Sequence, residues 1–269
     1  MFYSMNSPMP KAPKKNPPPH SIHRLSTEQN ISEKAPLDAL DALAVVRQIH
    51  AQDAVVADAV SKELPQIAKA VDAAAQALRR GGRIFYVGAG TSGRLGVLDS
   101  AECPPTFGIA PEKIQAVIAG GHRALLHAAE AAEDNAEQGA RDLAARRVGP
   151  RDLVIGLSAS GRTPYTVGAL RYARSRRCTT VAIACNPGSP LERVAHIGII
   201  SLTGAEILSG STRMKAGLAQ KMVLQMISTA AMAQRRPRVP CVTSMPGGRR
   251  GWSAGCVRFP AQREIRWGS

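Results

Sequence analysis

Between residues 83 and 204 the sequence repeats one pattern five times. The runs are "RIFYVGAG", "IQAVIAGG", "DLVIGLSASG", "TVAIACNPG" and "IGIISLTG". Each is a short stretch of Val, Ile and Leu that ends in small residues, and most are followed by a helical stretch. Strands that are apolar on both faces must be covered on both faces, which antiparallel hairpins exposed to water do not achieve. Alternation of such strands with helices predicts a parallel, doubly wound sheet in a three-layer α/β/α domain. Aromatic residues are only 4% of the chain, so the core must be aliphatic and alanine-rich.

The flanks read differently. Residues 1–24 are rich in Pro and Lys, and proline opposes both helix and sheet there; they are expected to form a disordered tail. Residues 36–80 carry helical stripes such as Leu40, Leu43, Val46 and Ile49, which predict two helices, with Pro65 as a kink or break. Residues 212–234 predict a long helix. From 235 to 269 the chain has many Arg, Gly and Pro and no period, so little regular structure is expected. The domain spans 25–234 on this reading.

The formal net charge is +15. Residues 1–24 carry four Lys/Arg and no acid, and 235–269 carry eight Arg and one Glu. The folded part is therefore only mildly basic, and no recognition motif or aromatic platform accompanies the charge. No nucleic-acid partner is expected for it. Five cysteines, an odd number without a C-x-x-C spacing, point to reduced thiols and the cytoplasm rather than to disulfides or a zinc site. The histidines form no metal-ligand pattern, and no apolar run approaches the roughly 18–20 residues of a membrane span.

The first run ends in "GAGTSGR", residues 88–94, which fits the G-x-G-x-x-G dinucleotide spacing. That motif also needs an acid at the end of the second strand for the ribose hydroxyls. Here the second strand ends "VIAGGHR", without one. No G-K-[ST] follows either, so a Walker loop is excluded. What remains is a tight glycine turn, Gly90 and Gly93, with the hydroxyls of Thr91 and Ser92 at a helix start. Free N–H groups and the helix dipole favour an anion there. "LSASGRT" repeats this after the third strand with Ser158, Ser160, Gly161 and Thr163. Two such loops on neighbouring strands suit a monoester phosphate, without a metal. Singly, each loop reads equally well as turn and cap residues.

The longer motifs "VGAGTSGRLGVLDSAECPPTFG", "EAAEDNAEQG", "IGLSASGRTPYTVGAL", "IACNPGSPL" and "GAEILSGSTRMKAGLAQKMVLQMISTAAM" closely resemble the N-acetylmuramic acid 6-phosphate etherases of the sugar isomerase (SIS) superfamily, from about Leu25 to Met232. The resemblance implies a homodimer and cleavage of the lactyl ether of N-acetylmuramic acid 6-phosphate in cell-wall sugar recycling. It implies no metal or organic cofactor, and it carries the sugar-phosphate role onto Thr91, Ser92, Ser158, Ser160 and Thr163. It also makes Glu102, in "SAECPPTFG", the acid/base glutamate, with Pro104 and Pro105 rigidifying the backbone just after it. Glu133 matches the second essential glutamate. On a helix through 125–137, Leu125, Ala129, Ala132 and Ala136 form a buried stripe with Glu133 at its edge, while Glu130, Asp134 and Glu137 point away. Glu206, after the fifth strand, is a third candidate, with Arg213 and Lys215 beside it; substrate contact and structural capping are equally open for these three.

Two other functions share these loops: an aldose–ketose isomerase, and a non-catalytic sugar-phosphate sensor like the glucokinase regulatory proteins. After Met232 the resemblance stops. The abrupt loss of helical period there suggests an aberrant or frameshifted reading of the end of the gene.

Overall fold

The computed structural model describes Thr27 and residues 37–234; the two tails and most of 25–36 lie outside the described residues. The five runs form five parallel strands: β1 (Ile84–Gly88), β2 (Ile114–Ile118), β3 (Leu153–Leu157), β4 (Thr179–Ala184) and β5 (Ile197–Ile200). Their order in the sheet is β2-β1-β3-β4-β5. The chain thus reverses direction between β1 and β3, the place where ligands bind in such sheets.

Side chains alternate across the sheet with period two. Ile84, Tyr86, Leu153, Ile155, Leu157, Val181 and Ile183 face one core. Phe85, Val87, Val154 and Ala182 face the other. Helices α1 (Ala42–Asp53), α2 (Val55–Ser61), α3 (Leu64–Arg79), α4 (Gly90–Phe107) and α9 (Lys215–Gln234) belong to the first side. The second core is closed by α6 (Ala136–Ala145), α7 (Pro164–Ser175) and α8 (Pro190–Val194), with the short α5 (Arg123–Leu126) in the β2–α6 connection. The expected five-stranded, three-layer domain is thus the observed one.

Two local expectations need correction, the number of N-terminal helices and the helix through the acidic stretch. The segment expected to hold two helices holds three: the break expected near Pro65 separates α2 from α3, with Pro65 in the first turn of α3, where its missing N–H costs nothing. Pro104 and Pro105, expected to rigidify the backbone after Glu102, lie inside α4, which runs through them to a left-handed cap at Gly108. The acidic stretch is not one helix. After α5 the chain makes a short 3-10 turn at Glu130–Ala132, and α6 starts only at Ala136. Asn135 accepts the Gln138 N–H at 2.9 Å and caps it, and a capping residue ends the preceding chain's claim to helix.

Candidate active site

The hydroxyl loops meet where the sheet reverses. Gly88 is in register with Leu157, so the chain leaves β1 and β3 side by side, about 4.8 Å apart. The first loop enters α4 directly: Gly90 starts the helix with φ +52°, Thr91 is half-buried, and Ser92 and Gly93 are buried. A Cβ on Gly93 would stand 2.8 Å from the Gly88 carbonyl oxygen, so only glycine permits this tight a turn. The α4 N-terminus carries no side-chain cap, which leaves its first N–H groups facing the loop.

The second loop is internally braced. Ser158 Oγ accepts the Gly161 N–H at 3.0 Å and lies 2.8 Å from Thr163 Oγ1. Ser160 Oγ accepts the Arg162 N–H at 3.2 Å. Gly161 has φ +67°, and any side chain there would collide with Ser189 Oγ. Asn186, after β4, donates to the Ala159 carbonyl at 3.1 Å and so fixes the loop from the other side. Asn186 and Ser189 were not singled out by sequence reasoning, although both stand in "IACNPGSPL", the small-residue loop of the fourth run.

The candidate carboxylates divide into three situations. Glu133 sits half-buried in the turn before α6, and its carbonyl accepts the Tyr165 N–H at 2.9 Å. That bond holds it beside the start of α7, two residues past Thr163. Arg94 secures the same connection from the first loop, donating to the carbonyls of Leu125 and His127, both at 3.1 Å. The helical wheel that set Glu133 apart from Asp134 does not apply, since both occupy a turn. The two hydroxyl loops and Glu133 are thus gathered within one chain.

Glu102 is elsewhere. It is exposed on α4, twelve residues from Gly90, or about 18 Å along a helix rising 1.5 Å per residue. It lines a cleft of about 350 Å³ between α4 and α9, with Leu98, Asp99, Lys221, Gln225 and Ser228. Asp99, not among the residues expected at the site, is the polar centre of this cleft. Its carboxylate accepts the Tyr86 hydroxyl at 2.8 Å and the Ser228 hydroxyl at 3.1 Å. Burial raises its pKa, against the opposing pull of those hydroxyls and of Lys221. Burial also raises Tyr86, and it pushes the neighbouring Cys103 thiol up to about 12.

Glu206 is fully buried, and both its oxygens are committed to the start of α9. They accept the N–H groups of Lys215 at 3.1 Å and Ala216 at 2.9 Å. Lys215 turns its ammonium to Gln52 on α1 at 2.8 Å, and burial lowers its pKa. Arg213 is exposed. Of the equal alternatives for Glu206 and Lys215, the geometry favours capping and bracing. The α9 start still borders the site, because a Cβ on Gly217 would lie 3.5 Å from Thr91 Cγ2.

Among the described residues, no group of three or more His, Cys, Asp and Glu gathers as a metal site, and no helix is long and apolar enough to cross a membrane.

Comparison with known proteins agrees with the sequence motifs. Residues 66–174 match the glucokinase regulatory protein N-terminal SIS domain, and residues 127–233 match the SIS domain. The N-acetylmuramic acid 6-phosphate etherase of Cronobacter sakazakii is 56% identical over 214 residues, covering 80% of this chain and 72% of that protein. The etherase of Salmonella typhi gives the same figures. Among solved structures, phosphoheptose isomerases share the fold. The one from Neisseria gonorrhoeae has a TM-score of 0.52 at 14% identity, over 72% of this chain and all of that one. The one from Francisella tularensis has a TM-score of 0.51 at 15% identity, over 71% and 98%. An SIS fold, the two hydroxyl loops at its sheet reversal and this level of identity together place the chain in the N-acetylmuramic acid 6-phosphate etherase family.

Proposed function

We propose that this chain is a lyase that cleaves the D-lactyl ether of N-acetylmuramic acid 6-phosphate, releasing D-lactate and N-acetylglucosamine 6-phosphate. The observation that carries the reading is the pair of hydroxyl-rich loops, 90–93 and 158–163, side by side at the ends of β1 and β3. They offer N–H and O–H donors to a phosphate monoester, with the α4 dipole behind them.

An ether resists hydrolysis unless elimination is open to it. In the open-chain sugar the C1 aldehyde makes the C2 proton acidic. A base takes that proton, the C3–O bond breaks, and the lactate oxygen receives a proton from an acid. Water then adds across the C2–C3 double bond, its oxygen at C3 and a proton at C2. Carboxyl groups can perform both transfers. Glu102 and Glu133 take these roles in this reading, and no metal or organic cofactor is required. Gly90, Thr91, Ser92, Gly93, Ser158, Ser160, Gly161 and Thr163 hold the phosphate and sugar.

Glu133 lies beside the second loop, whereas Glu102 lies about 18 Å along α4 from the first. A single chain does not close that distance around one sugar phosphate. A homodimer, in which the α4 of one copy brings Glu102 to the loops of the other, supplies the missing carboxyl. The substrate and products belong to cytoplasmic recycling of cell-wall sugars.

The test is lactate release from N-acetylmuramic acid 6-phosphate by the full chain and by Glu102→Gln. Release that the substitution abolishes supports the reading. Sugar phosphate that raises the melting temperature without any lactate release supports the second reading, a non-catalytic sugar-phosphate sensor. That alternative is favoured only by the match of residues 66–174 to the regulatory SIS domain.

A further inference from the structure

The helices that lead into three adjacent strands all end in an arginine pair. α3 ends in Arg79–Arg80 before β1, α6 is followed by Arg146–Arg147 before β3, and α7 by Arg176–Arg177 before β4. All six side chains are exposed. β1, β3 and β4 are neighbours in the sheet, so the pairs stand in a row on the end of the domain opposite the hydroxyl loops. Arg83, Lys113, Arg151 and Arg174 belong to the same set of turns, whose acids are Glu112 and Asp152. Among the described residues, only Arg83 of this set is ion-paired, to Asp152 at 2.8 Å.

These turns therefore hold ten basic residues against two acids, while residues 37–234 as a whole hold twenty-two against seventeen. The excess of positive charge is concentrated at one end, and the rest of the fold is net acidic. A count along the sequence averages the two and conceals the asymmetry.

Helix dipoles do not account for the pairs. A cation in the last turn complements the dipole, and the effect fades within that turn. Arg147 and Arg177 lie past their helices, with φ of +51° and +62°. They are the two non-glycine residues with positive φ among those described, at positions where glycine is the relaxed choice. Charge is kept there against the backbone's preference. A cleft of about 260 Å³ opens between Arg147 and Arg151.

We propose that this end of the domain binds the phosphate backbone of double-stranded nucleic acid without reading its sequence. Nine of the ten basic residues are arginine, whose planar fork matches phosphate oxygens. The five-stranded edge is about 19 Å wide at 4.8 Å per strand, and a duplex offers one charge per about 1.7 Å of axis. None of the exposed large apolar residues falls in these turns. That leaves nothing to stack on unpaired bases and nothing to insert into a bilayer.

The test uses the full chain, a fluorescent mixed-sequence DNA duplex, and a titration repeated from 50 to 200 mM salt. One variant combines Arg80→Gln, Arg147→Gly and Arg177→Gly, where glycine relieves the positive φ and should preserve the fold. A second combines Arg79→Gln, Arg146→Gln and Arg176→Gln. Each is expected to weaken duplex binding about tenfold or more at low salt, and to reduce the slope of log affinity against log salt by about 2–3, as loss of three phosphate contacts requires. The proposal is overturned if the wild type does not bind the duplex. It is equally overturned if folded variants bind as the wild type does, which would assign the binding to the basic tails, or if only anionic phosphatidylglycerol vesicles are bound.

Discussion

Glu206 Oε1 accepts the backbone N–H of Ala216 at 2.9 Å, and its other oxygen takes that of Lys215. One buried carboxylate thus satisfies two helix-start donors that have no partner within α9. Glu206→Ala leaves both donors buried and unpaired, and is expected to cost about 2–3 kcal/mol. For a domain of this size that lowers the melting temperature by about 5–10 °C, which thermal unfolding would measure. A variant that keeps its melting temperature but loses substrate affinity would return Glu206 to the substrate set.

Glu102→Gln keeps the shape of the side chain and removes its proton chemistry. Lactate release is expected to fall about 10²–10⁴-fold, with protection from thermal unfolding by the sugar phosphate retained.

The separation of Glu102 from the loops makes a mixing experiment decisive. Ser160→Asp places a charge in the half-buried phosphate loop and should be inactive alone. Mixed one-to-one under exchanging conditions with Glu102→Gln, it should restore about one quarter of wild-type activity, because half of the two-fold symmetric dimers then carry one intact site. No recovery, with subunit exchange demonstrated, would mean that both residues serve the same chain's site.

Glu133 and Asp134 share one turn, with Glu133 half-buried and its carbonyl tied to Tyr165. Glu133→Gln is expected to slow exchange of the C2 proton with solvent deuterium, read by NMR, by at least about 100-fold. If Asp134→Asn has that effect instead, removal of the C2 proton belongs to the neighbouring carboxyl.

Asp99 gives a pH signature. Its pKa is raised by burial above the ordinary 3.8, so folding favours the protonated form. Its stabilising contribution is full below that ordinary value and is lost as pH rises through the higher folded value. Asp99→Asn keeps an acceptor for Tyr86 and cannot ionise. The melting temperature of the wild type relative to Asp99→Asn should therefore fall as pH rises from about 3.8 through the weakly acidic range. A constant difference would show that burial does not govern this carboxyl.

The strands, their parallel order and the two hydroxyl loops were legible because each depends on local pattern: apolar runs of strand length, and small residues at their ends. The break at Asn135 was not, since alanine-rich sequence keeps a helical period whether or not the chain turns, and a single capping hydrogen bond decided the matter. Pro104 and Pro105 show the reverse case, in which packing decides against local preference. Local preference opposes them in a helix, but α4 is held on both flanks, by β2 and β1 on one side and α9 on another, and packing overrides local cost.

The sequence by itself determined the α/β/α class, the family and the chemical types at the phosphate loops, because these reside in residue order and short spacing. Only the tertiary structure decided which groups meet. It gave Glu206 to α9, gathered Asp99 with Tyr86 and Ser228, and carried Glu102 a helix length away from the loops. It also drew arginines separated by up to about a hundred residues onto one end of the sheet. Those outcomes depend on distances in space between elements far apart in the chain, which no local pattern records.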